Sequence, residues 1–213
     1  MKLYWTPASP FVRKVMVTAH ELGLSDRIEI VKTIWPHQWA THTIAFDPPD
    51  FVVANPIGRI PTLLTDSGIA LPESNLICRH LNAKAGGRLI PRDADPDLPL
   101  LRLWALGDGA LEAMIARRAE TLRTLPERSD DFIGKQKDRI FRCFDTFDLS
   151  LLESSSNLTI AHITVAVACG YMDFRYPSDN WRENRARLAA WYQAFSSRPS
   201  LEKTAHGETP QQR

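Results

Sequence analysis

The sequence predicts two domains in series, a small mixed α/β domain over residues 1–83 and an all-α domain over residues 98–213. Three observations carry this reading. Strand-like and helix-like stretches alternate as far as Ala83, a Gly-, Pro- and Asp-rich segment over 84–97 then reads as a linker, and beyond it only helical periodicity is found.

In chain order, Lys2 to Trp5 is a short β-type run, and Phe11, Val15, Ala19 and Leu22 recur at helical spacing until Gly23. Ile28, Ile30 and Ile34 mark a second strand. Pro48, Pro49 and Pro56 break the following stretch into an irregular segment with room for one short helix at most. Thr62–Thr65 and Ile69–Leu71 flank Asp66-Ser67-Gly68 as a hairpin, and Leu76, Ile77 and Leu81 begin another helix. Gly86-Gly87, Pro91, Pro96 and Pro99 with Asp93, Asp95 and Asp97 give the linker its composition. A long helix is expected from Leu100 to Leu125, softened by Gly107 and Gly109 and stopped by Pro126. A stripe of Ile133, Ile140, Phe144, Phe147 and Leu151 makes the next. Ile160 to Phe174 is apolar nearly all round and reads as a buried central helix. Leu188, Trp191, Tyr192 and Phe195 form a last stripe, and from about His206 the tail is polar.

Composition narrows the function. With 44% hydrophobic and 24% charged residues the 213-residue chain is globular, not disordered, and a net charge of +1 gives no global field for nucleic acid or an anionic membrane. Cys78, Cys143 and Cys169 are too few and too dispersed for a disulfide framework, a CxxC redox pair or a zinc site, so no metal is expected and the thiols read as reduced. The N-terminus has no apolar signal region, and Ile163–Gly170 is far short of the roughly 20 residues that span a bilayer. The Asn157-Leu158-Thr159 glycosylation match is then a chance one, and the expected location is cytoplasmic.

Three motifs carry possible chemistry. Ser9-Pro10-Phe11 stands at a strand-to-helix junction, where Ser9 is a natural N-cap and Pro10 suits the first turn. Capping alone accounts for this pattern. The same geometry also offers unpaired N–H groups, a partial positive charge and a hydroxyl donor, which together stabilise a thiolate. Asn55-Pro56-Ile57-Gly58-Arg59-Ile60-Pro61-Thr62 leads into a strand through Pro61. It reads as a plain turn, or, with a cis Ile60–Pro61 bond, as a turn that aims the Ile60 backbone at a ligand. Pro72-Glu73-Ser74-Asn75 precedes a helix and reads either as a cap or as a carboxylate site at Ser74 beside an ammonium site at Glu73.

These three motifs, in this order, resemble the thioredoxin-like domain of the cytosolic glutathione transferases. Leu158-Thr159-Ile160-Ala161, Ala190-Trp191-Tyr192 and Arg198-Pro199-Ser200 resemble the capping motif and final helix of that family's helical domain. The resemblance runs from about Lys2 to Thr204, and the Ser-Pro-Phe start is similar to bacterial serine-type members. It implies the glutathione transferase fold, a thioredoxin-like α/β N-terminal domain plus an all-α C-terminal domain, in a cytoplasmic detoxification enzyme that is a homodimer.

The resemblance also implies roles. Ser9 would hydrogen-bond the glutathione sulfur, the Ile60 backbone before Pro61 would pair with the cysteinyl unit, and Glu73 and Ser74 would clamp the γ-glutamyl end. Lys32, His37 and Trp39 are alternative partners for the glycine carboxylate. Glutathione would be the co-substrate, and its thiolate would add to, or substitute on, a small hydrophobic electrophile, transferring an alkyl or aryl group. Trp5, Phe11, Trp35 and Trp104 are candidates for the second-substrate pocket, with Arg117 as a polar guide, while ordinary core packing also accounts for them. Two other functions stay open: a binding or regulatory protein with little turnover, and a glutathione-dependent peroxidase or reductase. The latter usually has a cysteine at the Ser9 position, and Cys78 reads as a buried small hydrophobe. One departure from the family pattern is His162, where an Asp usually closes the capping box that Thr159 opens. The expectation is a box left without its acid, kept in place by a Leu158–Ile163 staple; a neutral His162 could accept one hydrogen bond there, and a protonated one would oppose the helix dipole.

Overall fold

The computed structural model describes residues 1–33, 51–92, 94–154 and 157–208. The chain divides into two compact units, Met1–Arg88 with Pro199–Arg213, and Leu89–Arg198.

The first unit is built on a four-stranded sheet in the order β2-β1-β3-β4, where β1 is Lys2–Trp5, β2 Glu29–Lys32, β3 Thr62–Leu64 and β4 Ala70–Pro72. β1 runs parallel to β2 and antiparallel to β3, and β3 runs antiparallel to β4. Parallel strands need a crossover, and helix α1, Pro10–Glu21, supplies it between β1 and β2. A short helix α2, Phe51–Ala54, precedes β3, and α3, Ser74–Lys84, follows β4. The 65–69 turn is the expected hairpin: Gly68 adopts φ 80° and its N–H donates to Thr65 O at 3.0 Å. Tyr4, Val12, Phe51 and Ile60 form a buried cluster, with the Tyr4 and Phe51 rings 5.0 Å apart.

In the second unit α4 is Leu98–Thr121, α5 Asp130–Thr146, α6 Leu149–Ser154, α7 Ile160–Arg175 and α8 Ala186–Phe195; a short α9, Pro199–Glu202, belongs to the first unit. Every residue of α7 from Ile160 to Met172 is buried, which its all-round apolar sequence anticipates. Gly107 on α4 permits a close helix approach, since a Cβ there would lie 2.8 Å from Thr164 Cγ2 on α7. At Gly109 a Cβ would meet nothing within 4 Å.

Three sequence expectations shift. The stripe from Ile133 to Leu151 is not one helix, because Phe147 turns extended (φ −60°, ψ 127°) and Leu151 falls on α6. Pro99, counted with the linker, lies in the first turn of α4, where proline fits. The chain after Arg198 groups with the first unit, where Arg13 Nη2 donates to Leu201 O at 3.1 Å, Ser200 Oγ to Glu21 Oε1 at 2.5 Å and the Gly207 N–H to Pro7 O at 3.3 Å. Tertiary hydrogen bonds of this kind leave no periodic trace in sequence.

Candidate functional site

Register places the three motifs at one end of the sheet. Val31, Tyr4, Thr62 and Pro72 form one row across the four strands. The end of β1 that leads to Ser9, the start of β3 that follows Ile60-Pro61, and the end of β4 that leads to Glu73 therefore meet along one edge. Lys32, paired with Trp5 at the end of β2, is exposed at the same edge.

Ser9 is the N-cap of α1. Its backbone is extended (φ −87°, ψ 124°) and its Oγ accepts from the Val12 N–H at 3.2 Å, while Pro10 begins the helix. Ser9 is half-buried, and among the described residues no acceptor lies in hydrogen-bond reach of its hydroxyl proton. The cap thus uses the oxygen and leaves the O–H to donate. No acidic residue occupies the first turn of α1 to compete for the positive end of the helix.

The loop into β3 is held by Asn55, which is 1% exposed. Its Nδ2 donates to Arg59 O at 2.9 Å and to Thr62 Oγ1 at 2.8 Å, and its Oδ1 accepts from the Ile57 N–H at 3.0 Å. Gly58 takes φ 66° within this turn. The Ile60–Pro61 bond is cis. The Ile60 side chain is buried against Tyr4, Val12 and Phe51, and its main chain stands outside the β1–β3 register, which begins at Thr62. Asn55 heads the 55–62 sequence motif, which by itself assigns it no role. The signal for one is an Asn followed two residues on by a turn amide, the Asx-turn pattern.

At the start of α3, Glu73 has φ 74° and its carboxylate caps the helix. Oε1 accepts from the Asn75 N–H at 2.8 Å and from Ser74 Oγ at 3.1 Å, and Oε2 accepts from the Leu76 N–H at 3.1 Å. A carboxylate accepts about four hydrogen bonds, so capping and the pairing of an ammonium are compatible here. Ser74 is buried and Glu73 is exposed. Beneath them Lys14, on α1, donates from Nζ to Asn75 Oδ1 at 2.6 Å.

The remaining candidates disperse. Trp5 lines a small cavity of about 140 Å³ with Val12, Met16, Ile30 and Lys203. Phe11 is half-buried, with Lys14 Nζ 5.6 Å from its ring centroid. Trp104 is buried in α4 of the second unit. Arg117, also on α4, forms a two-pronged ion pair with Asp179 and stacks on Tyr176 at 4.2 Å, so its guanidinium is engaged within the second unit. Burial alone would raise the Asp179 carboxyl, but the hydrogen bonds and charges of Arg117 and Lys137 outweigh it and hold it below the usual carboxylate range. Trp35, His37 and Trp39 lie outside the described residues. A cavity of about 740 Å³ in the second unit is lined by Leu98, Pro99, Arg102, Asp148 and Leu151 among others and includes none of the candidates. Cys78 is buried, with Thr18 Oγ1 at 3.5 Å from its Sγ. Among the described residues no cluster of His, Cys, Asp or Glu is placed to hold a metal, and no helix is long and apolar enough to cross a membrane.

His162 corrects an expectation. Its Nδ1 accepts from the Thr159 N–H at 3.3 Å and lies 2.8 Å from the Thr159 hydroxyl, so the capping box is closed without an acid. Burial pushes the imidazole below its ordinary pKa, against the opposing effect of a hydrogen bond to the Leu151 carbonyl and with a smaller lowering from Arg198. The neutral ring is an acceptor at Nδ1 because its proton sits on the other nitrogen.

Residues 8–84 match the family model of the glutathione S-transferase N-terminal domain, and residues 108–194 match that of the C-terminal domain. The chain is 35% identical to a glutathione transferase family member from Pseudomonas fluorescens Pf-5 whose crystal structure contains glutathione, with a TM-score of 0.87 over 97% of this chain and 99% of that one. A second crystal structure from the same organism, with bound S-(propanoic acid)-glutathione, is likewise 35% identical, with a TM-score of 0.82 over 98% of this chain and 100% of that one. Among curated proteins the chain is 27% identical to the uncharacterized GST-like protein YibF of Escherichia coli, covering 96% of this chain and 98% of that one.

Proposed function

The chain belongs to the glutathione S-transferase family, and on that premise we propose that it is a serine-type glutathione transferase that activates the glutathione thiol through Ser9. The observation that carries the reading is the state of the Ser9 hydroxyl, whose oxygen is taken by the Val12 N–H while its proton is left to donate. A sulfur in front of the α1 N-terminus would receive that proton as a hydrogen bond and lie at the positive end of the helix. Both interactions favour thiolate over thiol.

The rest of the tripeptide follows the same edge of the sheet. The Ile60 main chain, outside the β ladder, pairs with the cysteinyl unit. The Ser74 hydroxyl and N–H meet the γ-glutamyl carboxylate, and the exposed lone pairs of Glu73 take the ammonium. Lys32, at the end of β2, is the candidate among the described residues for the glycine carboxylate. The thiolate then attacks a small hydrophobic electrophile. A carbon–sulfur bond forms, and either a leaving group departs with its electron pair or the new carbanion takes a proton from solvent. The glutathione and S-(propanoic acid)-glutathione bound in the Pseudomonas structures, the second of which carries a substituted sulfur, support this use of the site. Family resemblance further supports a cytoplasmic homodimer, which light scattering of the purified chain tests.

Calorimetry with glutathione tests the binding half of the reading, and a panel of aryl halides, enones and peroxides tests the chemistry. Binding with conjugation that is lost in Ser9→Ala supports a transferase. Binding with no turnover on any substrate overturns that reading in favour of a glutathione-binding protein.

A further inference from the structure

Lys14 is fully buried, at 0% exposure, in the middle of α1. Lysine is rarely found there, because an ammonium taken from water must be repaid by hydrogen bonds, and an aliphatic side chain would fill the same volume without that demand. One of its hydrogen bonds leads to the candidate site. Nζ donates to Asn75 Oδ1 at 2.6 Å, a short charge-assisted contact. The Asn75 N–H in turn donates to Glu73 Oε1, which also receives Ser74 Oγ, and the Leu76 N–H donates to Oε2. These bonds surround a glutamate whose φ of 74° lies in the left-handed region, where a non-glycine residue stays only when its neighbours hold it. A second link ties the same two helices: Thr18 Oγ1 donates to Lys14 O at 2.8 Å and lies 3.5 Å from Cys78 Sγ on α3.

α1 carries Ser9 at its start, and α3 carries Glu73 and Ser74 at its own. Resting on the transferase reading above, we propose that Lys14 is a positioning residue for glutathione. It holds Asn75, and through Asn75 the Glu73–Ser74 turn, at the distance from Ser9 that lets one tripeptide engage both ends. Because the lysine side chain has no exposure, water does not substitute for the tether, and its loss frees the turn to relax out of the left-handed conformation.

Lys14→Met keeps the length and apolar shape and removes the donor. The expected result is a folded protein whose glutathione dissociation constant rises about tenfold or more, in keeping with the loss of a charge-assisted hydrogen bond. The KM for the electrophile at saturating glutathione should not change. Competitive inhibition by cysteinylglycine, which lacks the γ-glutamyl group, should also stay as in the wild type, and general damage to the site would not spare it. Asn75→Ala, at a half-buried position, should reproduce the selective loss, and the double variant should be no weaker than the weaker single one, since the two groups act as one unit. If Lys14→Met does not fold, Asn75→Ala carries the test. A folded variant that binds glutathione like the wild type overturns the proposal, as does one that loses glutathione and cysteinylglycine equally. Wild-type protein that binds no glutathione overturns the transferase reading itself, which separates the two failures.

Discussion

The starts of α1 and α7 are both capped by a hydroxyl residue, and they differ in what the cap leaves over. At α1 the Ser9 oxygen accepts from Val12, the residue is half-buried, and the hydroxyl proton has no acceptor among the described residues. At α7, Thr159 and His162 satisfy one another, 7% and 3% exposed, with His162 stacked on Phe195 at 6.2 Å. A closed, buried box stabilises a fold and has nothing left with which to bind. A half-used cap at a sheet edge keeps a donor for a ligand. Glu73 at α3 is intermediate, since its carboxylate caps the helix and is still exposed.

Perturbing each start separates the two kinds of cap. The largest effect is expected for His162→Ala, which removes the box, the bond to Leu151 and the ring stack. It should destabilise the protein by about 2–4 kcal/mol and leave glutathione affinity unchanged, as melts and calorimetry on one sample would show. His162→Asp, which would mend an open box, should give no gain in stability, because the box is closed already. Next comes Glu73→Ala, expected to weaken glutathione binding by about 1.5–3 kcal/mol and to lower the melting temperature through the lost cap. Equal affinity in that variant would reduce Glu73 to a capping residue. Ser9→Ala should slow conjugation about tenfold or more, equivalent to about 1.4 kcal/mol in the barrier, with a much smaller effect on affinity. Ser9→Asp keeps an acceptor for Val12 and places a negative charge beside the sulfur. It should retain stability and lose turnover, so a variant as fast as wild type would show that the helix dipole alone suffices.

The pH dependence distinguishes the regions further. His162 titrates below 6.5 when folded and near 6.5 when unfolded. At lower pH the unfolded chain therefore binds the extra proton first. The stability this residue contributes is fully present above about pH 6.5 and is lost as the pH falls from there toward its folded pKa. Melts of wild type and His162→Ala between pH 8 and pH 5 should converge on the acid side; parallel curves would mean that the ring is not held neutral. The smallest effect belongs to the paired glycines of α4. Gly109→Ala should stabilise by about 0.5–1 kcal/mol, whereas Gly107→Ala should give no gain, because its methyl group meets Thr164 at 2.8 Å.

Several features were legible from residue types alone because local chemistry dictates them. Pro10 after Ser9 marks a capped helix start, the Asp66-Ser67-Gly68 turn between short β runs marks a hairpin, and the apolar run from Ile160 marks a helix buried on every side. The order of these motifs also sufficed to suggest the family. Other features depend on residues distant in sequence that meet only in the fold. His162 departs from the usual acid at its position, and the burial and the bond to Leu151 that make its Nδ1 an acceptor are invisible in the local sequence. Arg117 reads from sequence as a polar guide or as a packing residue, and only the fold brings Asp179 and Tyr176 to it. The break at Phe147 lies within an unbroken apolar stripe, so periodicity had no means of reporting it.

Sequence alone thus settles the capped helix starts, which faces are apolar, and that three motifs of the right chemistry occur in one order, since each depends on neighbours a few residues apart. Tertiary structure decided which of those motifs share an edge. It took the register of β1, β3 and β4 to align Tyr4, Thr62 and Pro72, and the packing of α1 on α3 to bury Lys14 against Asn75. Hydrogen bonds between residues sixty positions apart follow from a chain already folded, and no local propensity encodes them.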